Sequence, residues 1–149
     1  MQKCTLALGC FWKPEKNFKN KPGITETEVG YAGGDNSKTT YQQVCLGKTG
    51  HAEVVRLTFD ELTISYEKIL DLFFKMHDPT QKDMQFPDIG NQYRSEIFYE
   101  TLEQKKIAEK YKMLFNEKFD EKIETNISKI KNYCKAEEYH QKYIMKTGH

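Results

Sequence analysis

No stretch of this 149-residue sequence approaches the ~18 consecutive apolar residues that crossing a membrane requires. The opening Met1-Gln2-Lys3 leads into neither the apolar run nor the small-residue cleavage site of a secretory signal, so a cytoplasmic protein is expected. Charge of one sign is missing as well: 23 Lys and Arg face 22 Asp and Glu, which leaves no electrostatic footprint for nucleic acid or an anionic membrane. Cysteines are few. Cys4, Cys10, Cys45 and Cys134 stand at spacings that match neither paired CxxC zinc ligands nor a compact disulfide framework. HExxH, GxSxG and a glycine-rich phosphate loop do not occur, which removes the usual signatures of zinc proteases, serine hydrolases and nucleotide enzymes. Linkers and repeats are lacking too, so residues 1–149 read as one domain, long enough to bury a core without disulfides or metal.

What is present is an ordered alternation of strand and helix signals. Cys4 to Leu8 reads as a short buried strand and Phe11 to Lys19 as a helix on which Phe11, Glu15 and Phe18 share a face, closed by Pro22-Gly23. Ile24 to Tyr31 is β-favouring and runs into a polar glycine loop. Thr40 caps a short helical turn carrying Tyr41, Val44 and Cys45, and His51 to Phe59 alternates as a strand. Ser65 caps the clearest helix, where Tyr66, Ile69, Leu70, Phe73 and Phe74 recur at core spacing until His77-Asp78-Pro79 ends it. Thr80 to Gln92 is irregular, Tyr93 to Tyr99 a strand, and Thr101-Leu102-Glu103-Gln104 a capping box. That box opens a helix through Phe119 with Ile107, Ala108, Tyr111, Leu114 and Phe115 inward; a strand over Ile123 to Ile130 and a helix over Ala136 to Ile144 follow. The order predicts an α/β protein, a mixed sheet with a ferredoxin-like βαβ plait and helices packed on it.

Two residues stand out chemically. Cys10 lies where an apolar strand, a permissive Gly9 and a helix start with Pro14 in its first turn meet. Unpaired N–H groups and the helix dipole at such a point favour thiolate, so a lowered thiol pKa is expected. Glu53 shares parity with Val55, Leu57 and Phe59 and so turns inward, where a carboxyl is more comfortable protonated. A thiol beside an acid that holds a proton suits a reaction in which sulfur attacks while an oxygen is protonated and leaves. A cysteine hydrolase pairing Cys10 with His51 or His140, and a binding module whose thiol is idle, fit the same residues.

The successive stretches Gly9-Cys10-Phe11-Trp12, Gly30-Tyr31-Ala32-Gly33-Gly34, Tyr41 with Val44-Cys45, Gly50-His51-Ala52-Glu53 and His77-Asp78-Pro79 continue into two more. These are Asp88-Ile89-Gly90-Asn91-Gln92-Tyr93-Arg94-Ser95 and Ala136-Glu137-Glu138-Tyr139-His140-Gln141. In this order, over nearly the whole chain, they resemble the peptide methionine sulfoxide reductase A family. The resemblance implies reduction of the S epimer of methionine sulfoxide, free or in a protein, as repair after oxidation. It makes Cys10 the nucleophile that becomes a sulfenic acid, Glu53 the acid that protonates the sulfoxide oxygen, and Tyr41 and Tyr93 the phenols that hold that oxygen. Phe11 and Trp12 become the wall around the S-methyl group, and Asp88 an orienting residue. A monomer with no bound cofactor is expected.

Two departures from the family pattern matter. Lys13-Pro14-Glu15 replaces the usual Gly-x-Glu, and the sequence ends at Lys146-Thr147-Gly148-His149 without the tail cysteines that many members use to resolve the sulfenic acid. Resolution is then expected by direct attack of thioredoxin, glutathione or glutaredoxin. The internal alternative is Cys134, which needs its Cα within ~7 Å of Cys10; Cys45 and Cys4 are weaker candidates.

Overall fold

A computed structural model of the chain describes residues 1–119 and 122–147; Gly148 and His149, which close the sequence, lie outside the described residues. In chain order the elements are β1 (Gln2–Leu8), α1 (Trp12–Lys19), β2 (Ile24–Ala32), α2 (Tyr41–Cys45), β3 (Ala52–Phe59) and α3 (Tyr66–Met76). They continue with β4 (Met84–Gln85), β5 (Asp88–Ile89), β6 (Ser95–Tyr99), α4 (Leu102–Asn116), β7 (Asn126–Lys129), β8 (Cys134–Lys135) and α5 (Tyr143–Thr147). Single 3₁₀ turns cover Asn91–Tyr93 and Glu138–His140. No helix among the described residues is long and apolar enough to cross a membrane.

Six strands form one sheet in the order β7-β6-β1-β3-β2-β8. All neighbours are antiparallel except β6 and β7, so the α/β class with a mixed sheet is what the chain adopts. α1 carries the chain from β1 to β2, and β3 inserts between those two strands, a split βαβ unit. Registers Leu6↔Val55, Val29↔Val55 and Tyr31↔Glu53 align one face across three strands. That face holds Leu6, Val29, Tyr31, Val55 and Leu57, covered by Phe18 of α1 and Ile69, Leu70, Phe73 and Phe74 of α3. Each such side chain taken from water stabilises the fold by roughly 1.5–3 kcal/mol. The opposite face is lined by smaller residues, Ala7, Ala32, Ala52 and Val54, with Phe98.

Caps fall where expected. Thr40, Ser65 and Thr101 accept the backbone N–H groups of Gln43, Lys68 and Gln104, while the Gln104 amide reaches back past Thr101 to the Glu100 N–H. Several boundaries differ from the sequence reading. The segment after Pro79 contains the small hairpin β4–β5, and the strand expected from Tyr93 starts at Ser95 because Asn91–Tyr93 is a 3₁₀ turn. α4 stops at Asn116 and leaves Leu114 exposed, its buried face being Gln104, Ala108 and Phe115. The strand expected over Ile123 to Ile130 shortens to β7, and the helix expected over Ala136 to Ile144 is broken. There the chain pairs with β2 as β8, makes the 3₁₀ turn, and takes φ 55° at Lys142 before α5. Its Gln141 side chain bonds both the N–H and the C=O of Val29, so this segment follows the sheet edge in place of an uninterrupted helix.

The hairpin is fastened where the site begins. The Gln85 amide accepts from the Asp78 N–H at 2.9 Å and donates to the Asp78 C=O at 2.6 Å. Its Cβ and Cγ press on Gly9, which has φ 96° and where an added Cβ would come within 2.8 Å of Gln85 Cγ. Gly9→Ala is therefore expected to lose about 2–3 kcal/mol in urea denaturation, from positive φ and overlap together. Gly47→Ala, with φ 72° and nothing closer than Asn91 Oδ1 at 3.8 Å, should lose only about 1 kcal/mol. Equal losses would rule out the Gly9 contact.

Candidate active site

The turn after β1 brings Cys10 to the start of α1, with Phe11 as the N-cap residue. Phe11 donates its backbone N–H to Glu53 Oε1 at 3.2 Å, so a carboxyl from β3 caps the helix end one residue from the thiol. Glu53 is 1% exposed, and its Oε2 has no hydrogen-bond partner among the described residues. Burial pushes its pKa up to about 8; the Phe11 N–H opposes that rise and the Asp88 charge adds to it. At neutral pH this carboxyl carries a proton that it can donate.

The thiol behaves differently from the sequence expectation. Its pKa is pushed up to about 12, first by burial, against which the Trp12 N–H works, and further by the charges of Glu53, Asp88 and Cys45. The helix end does supply an N–H. Desolvation and nearby negative charge outweigh it, and the free protein holds a thiol where a thiolate was expected.

Tyr41 comes from α2, Tyr93 from the 3₁₀ turn after β5, and Asp88 from β5 itself. Burial raises both phenols above their ordinary range; Tyr41 is raised further by a hydrogen bond with Cys45, and Tyr93 by the charges of Glu53, Cys45, Asp88 and Cys10. Both are neutral O–H donors at physiological pH. These mutual effects bring Cys10, Tyr41, Cys45, Glu53, Asp88 and Tyr93 into one electrostatic neighbourhood. Phe11 is closed in by Tyr31 and His140, with ring centres 5.8 and 5.2 Å away, while Trp12 is half-buried and stacks on Tyr143 at 3.9 Å. Among the described residues no cluster of His, Cys, Asp or Glu could hold a metal ion.

Neither histidine proposed for a hydrolase is bonded to the thiol. His51 Nε2 meets the Asn36 C=O at 2.9 Å and its ring packs under Gly34, where a Cβ would overlap Nδ1. His140 Nδ1 accepts from Trp12 Nε1–H at 3.1 Å. Cys134 lies on β8 with its thiol toward the Thr39 and Lys135 carbonyls, each 3.7 Å away, whereas Cys45 on α2 is the thiol whose ionisation is electrostatically linked to that of Cys10, and burial holds Cys45 protonated as well. Cys4, on β1 opposite Leu57, is fully buried.

Of three supporting residues, Glu137 and Arg94 carry no local signal in the sequence, and Glu15 shows only its place on the face of α1 shared with Phe11 and Phe18. Glu137 accepts from the Tyr31 hydroxyl at 2.8 Å and from the Tyr41 N–H at 2.9 Å, pinning α2 to β2. Burial works against its charge, yet the Tyr41 N–H, its own N–H and the Tyr31 hydroxyl hold its pKa below the usual range. Glu15 accepts from the Thr27 hydroxyl and the Lys142 N–H and so ties the chain's final turns to α1. Arg94 bonds the Asn91 C=O, the Gly50 C=O and Glu96, joining the turn that bears Tyr93 to the entrance of β3. All these partners are distant in sequence except within the Arg94 turn, and only the motifs containing them could have pointed there.

A protonated acid, a thiol and two neutral phenols share one neighbourhood, an arrangement whose chemistry suits a cysteine enzyme that protonates an oxygen. The family model described as peptide methionine sulfoxide reductase matches residues 2–149. A peptide methionine sulfoxide reductase MsrA from Pelagibacter ubique is 53% identical over 98% of this chain and 99% of its own, and one from Methanosarcina acetivorans 47% over 99% and 80%. The reduced form of Mxr1 from Saccharomyces cerevisiae superposes with a TM-score of 0.94 at 39% identity, covering 99% of this chain and 86% of Mxr1. Mxr1 in complex with Trx2 aligns with a TM-score of 0.67 at 27% identity, over 95% and 84%. The chain belongs to the peptide methionine sulfoxide reductase family, and it reduces methionine sulfoxide at the expense of thiols.

Glu53→Gln should slow this reduction by roughly 10²–10³-fold with an unchanged circular dichroism spectrum. In the unsubstituted enzyme the donor is lost as pH rises through about 8, so kcat should fall on the alkaline side and that limb should vanish in the variant. A variant that keeps the limb would remove Glu53 as its source.

Proposed function

We propose that Cys10 performs this reduction on the S epimer of methionine sulfoxide with Glu53 as the proton donor. The observation that carries the reading is the Phe11 N–H to Glu53 contact, which sets a proton-holding carboxyl beside the thiol. Glu53 gives its proton to the sulfoxide oxygen, and the substrate sulfur becomes electron-poor. That charge favours ionisation of the neighbouring thiol, so the thiolate forms when substrate is present and the Cys10 proton replaces the one Glu53 has given up. The Cys10 sulfur bonds to the substrate sulfur, the oxygen passes to Cys10, and methionine leaves. The sum is thiol plus sulfoxide giving sulfenic acid plus thioether. Tyr41 and Tyr93 donate hydrogen bonds to the oxygen while charge moves, Phe11 and Trp12 enclose the S-methyl group, and Asp88 orients the remainder of the substrate.

An external thiol then attacks the sulfenic acid, releasing water and leaving a mixed disulfide that a second thiol resolves. Thioredoxin, glutaredoxin or glutathione fits this role. The pairing of yeast Mxr1 with Trx2 supports it, as does the direction of the Cys134 thiol toward backbone carbonyls. We read the working unit as a monomer of one domain, residues 1–149, operating in the reducing cytoplasm without a bound cofactor. Mass spectrometry after a single turnover without reductant should find Cys10 heavier by one oxygen. Loss of two hydrogens would replace the external route with an internal disulfide, and unmodified Cys10 would overturn the nucleophile assignment.

A further inference from the structure

We propose that Leu46, Phe86 and Tyr139 form an apolar rim around the Cys10 site that binds the residues flanking an oxidised methionine in a polypeptide. The enzyme then favours methionine sulfoxide set among apolar neighbours. The proposal rests on reading Cys10 as the group that attacks the sulfoxide. Leu46 is 69% exposed, Phe86 74% and Tyr139 59%. Single exposed apolar groups need no explanation, but these three stand on segments that gather around one thiol.

A circuit of contacts places them. The Gln85 side chain presses on Gly9 beside Cys10, and Phe86 follows Gln85 in the turn that leads to Asp88. Gln85 and Asp88 pair across the hairpin and so share the face that meets the Cys10 turn. Beyond the hairpin, Asn91 Oδ1 lies against Gly47, the residue after Leu46, where an added Cβ would stand 3.8 Å from it. Leu46 ends α2, whose Tyr41 ring centre is 4.5 Å from that of His140, and the Tyr139 ring centre is 4.2 Å from His140 in turn. The circuit closes where the Trp12 indole N–H meets His140 Nδ1 at 3.1 Å, because Trp12 follows closely on Cys10.

The methionine side chain is short and unbranched, so its sulfur reaches Cys10 only when the substrate's Cα stands at the mouth of this circuit. The residues before and after it then fall on the edge. Leu46 and Tyr139 come from α2 and the turn before α5, and Phe86 from the hairpin, so apolar neighbours on both sides of the methionine find apolar surface. Free methionine sulfoxide has no neighbours and gains nothing from that burial. Ile89 is 69% exposed on the same hairpin, but it pairs with Met84, and alternation sends it to the face opposite Gln85 and Asp88. It lies off the rim.

Steady-state kinetics on three substrates test this: a peptide with the oxidised methionine between leucines, the same peptide with serines in their place, and free methionine sulfoxide. Leu46→Ser and Phe86→Ser should each raise KM for the leucine peptide about three- to tenfold, with kcat within about twofold. Neither should change KM for the serine peptide or the free sulfoxide by more than about twofold, and the two losses should multiply in the double variant. Ile89→Ser should leave all three substrates unaffected, and KM for thioredoxin as reductant should be unaltered throughout. Turnover of the free sulfoxide reports folding, so Leu46→Ala or Phe86→Ala takes the place of any serine variant that loses it. An unchanged KM for the leucine peptide, equal shifts on all three substrates, or the same shift from Ile89→Ser overturns the rim. A raised KM for thioredoxin alone assigns the surface to the reductant and overturns it as well. Cys10→Ser tests the reading beneath: turnover of any substrate by that variant overturns the role of Cys10, whereas failure of the rim leaves turnover of the free sulfoxide intact.

Discussion

A single backbone N–H shared between a helix start and a buried carboxyl organises this protein. The Phe11 N–H is one of the orphan donors at the beginning of α1, and Glu53 Oε1 satisfies it. The same contact joins β3 to the turn that follows β1, fixes the carboxyl beside the thiol, and leaves one carboxyl oxygen without a protein partner. Because that oxygen is buried, charge on Glu53 is unfavourable, and folding at neutral pH takes up a proton there. The unfolded carboxyl titrates near 4.5 and the folded one near 8, so the stability contributed by the protonated form is lost as pH rises between those values. That loss falls on the carboxyl we propose as the proton donor.

Much of the frame can be read directly from residue order. The parity of Glu53 with Val55, Leu57 and Phe59 announces an inward carboxyl, and Ser65 with the Tyr66 to Phe74 stripe announces α3, because alternation and capping are local signals. What could not be read depends on distant partners. Nothing near Glu137 in sequence tells that it would bond Tyr31 and Tyr41, about a hundred positions away. The expected helix over Ala136 to Ile144 fails for the same reason: Gln141 finds better partners on the edge of β2 than in its own turn. The thiol is instructive in another way. Helix geometry argues for thiolate, and the local argument is sound, but desolvation depends on what the rest of the chain stacks around Cys10.

The two raised groups, thiol and carboxyl, give the resting site a common character. Both hold protons in the free protein, and the phenols beside them do as well. The thiol, the carboxyl and the phenols are thus all neutral donors before a polar sulfoxide enters, with Asp88 as the neighbouring charge. Reactivity is then conditional on the ligand, which suits a thiol that must survive among other oxidants and electrophiles.

The segment that frames Trp12 and Tyr41 is synthesised long after the turn that carries Cys10. Trp12 and His140 are 128 positions apart, so the indole beside Cys10 gains its partner only after nearly all the intervening chain has been made. The final placement of Trp12 and Tyr41 is therefore coupled to completion of the sheet beside β2.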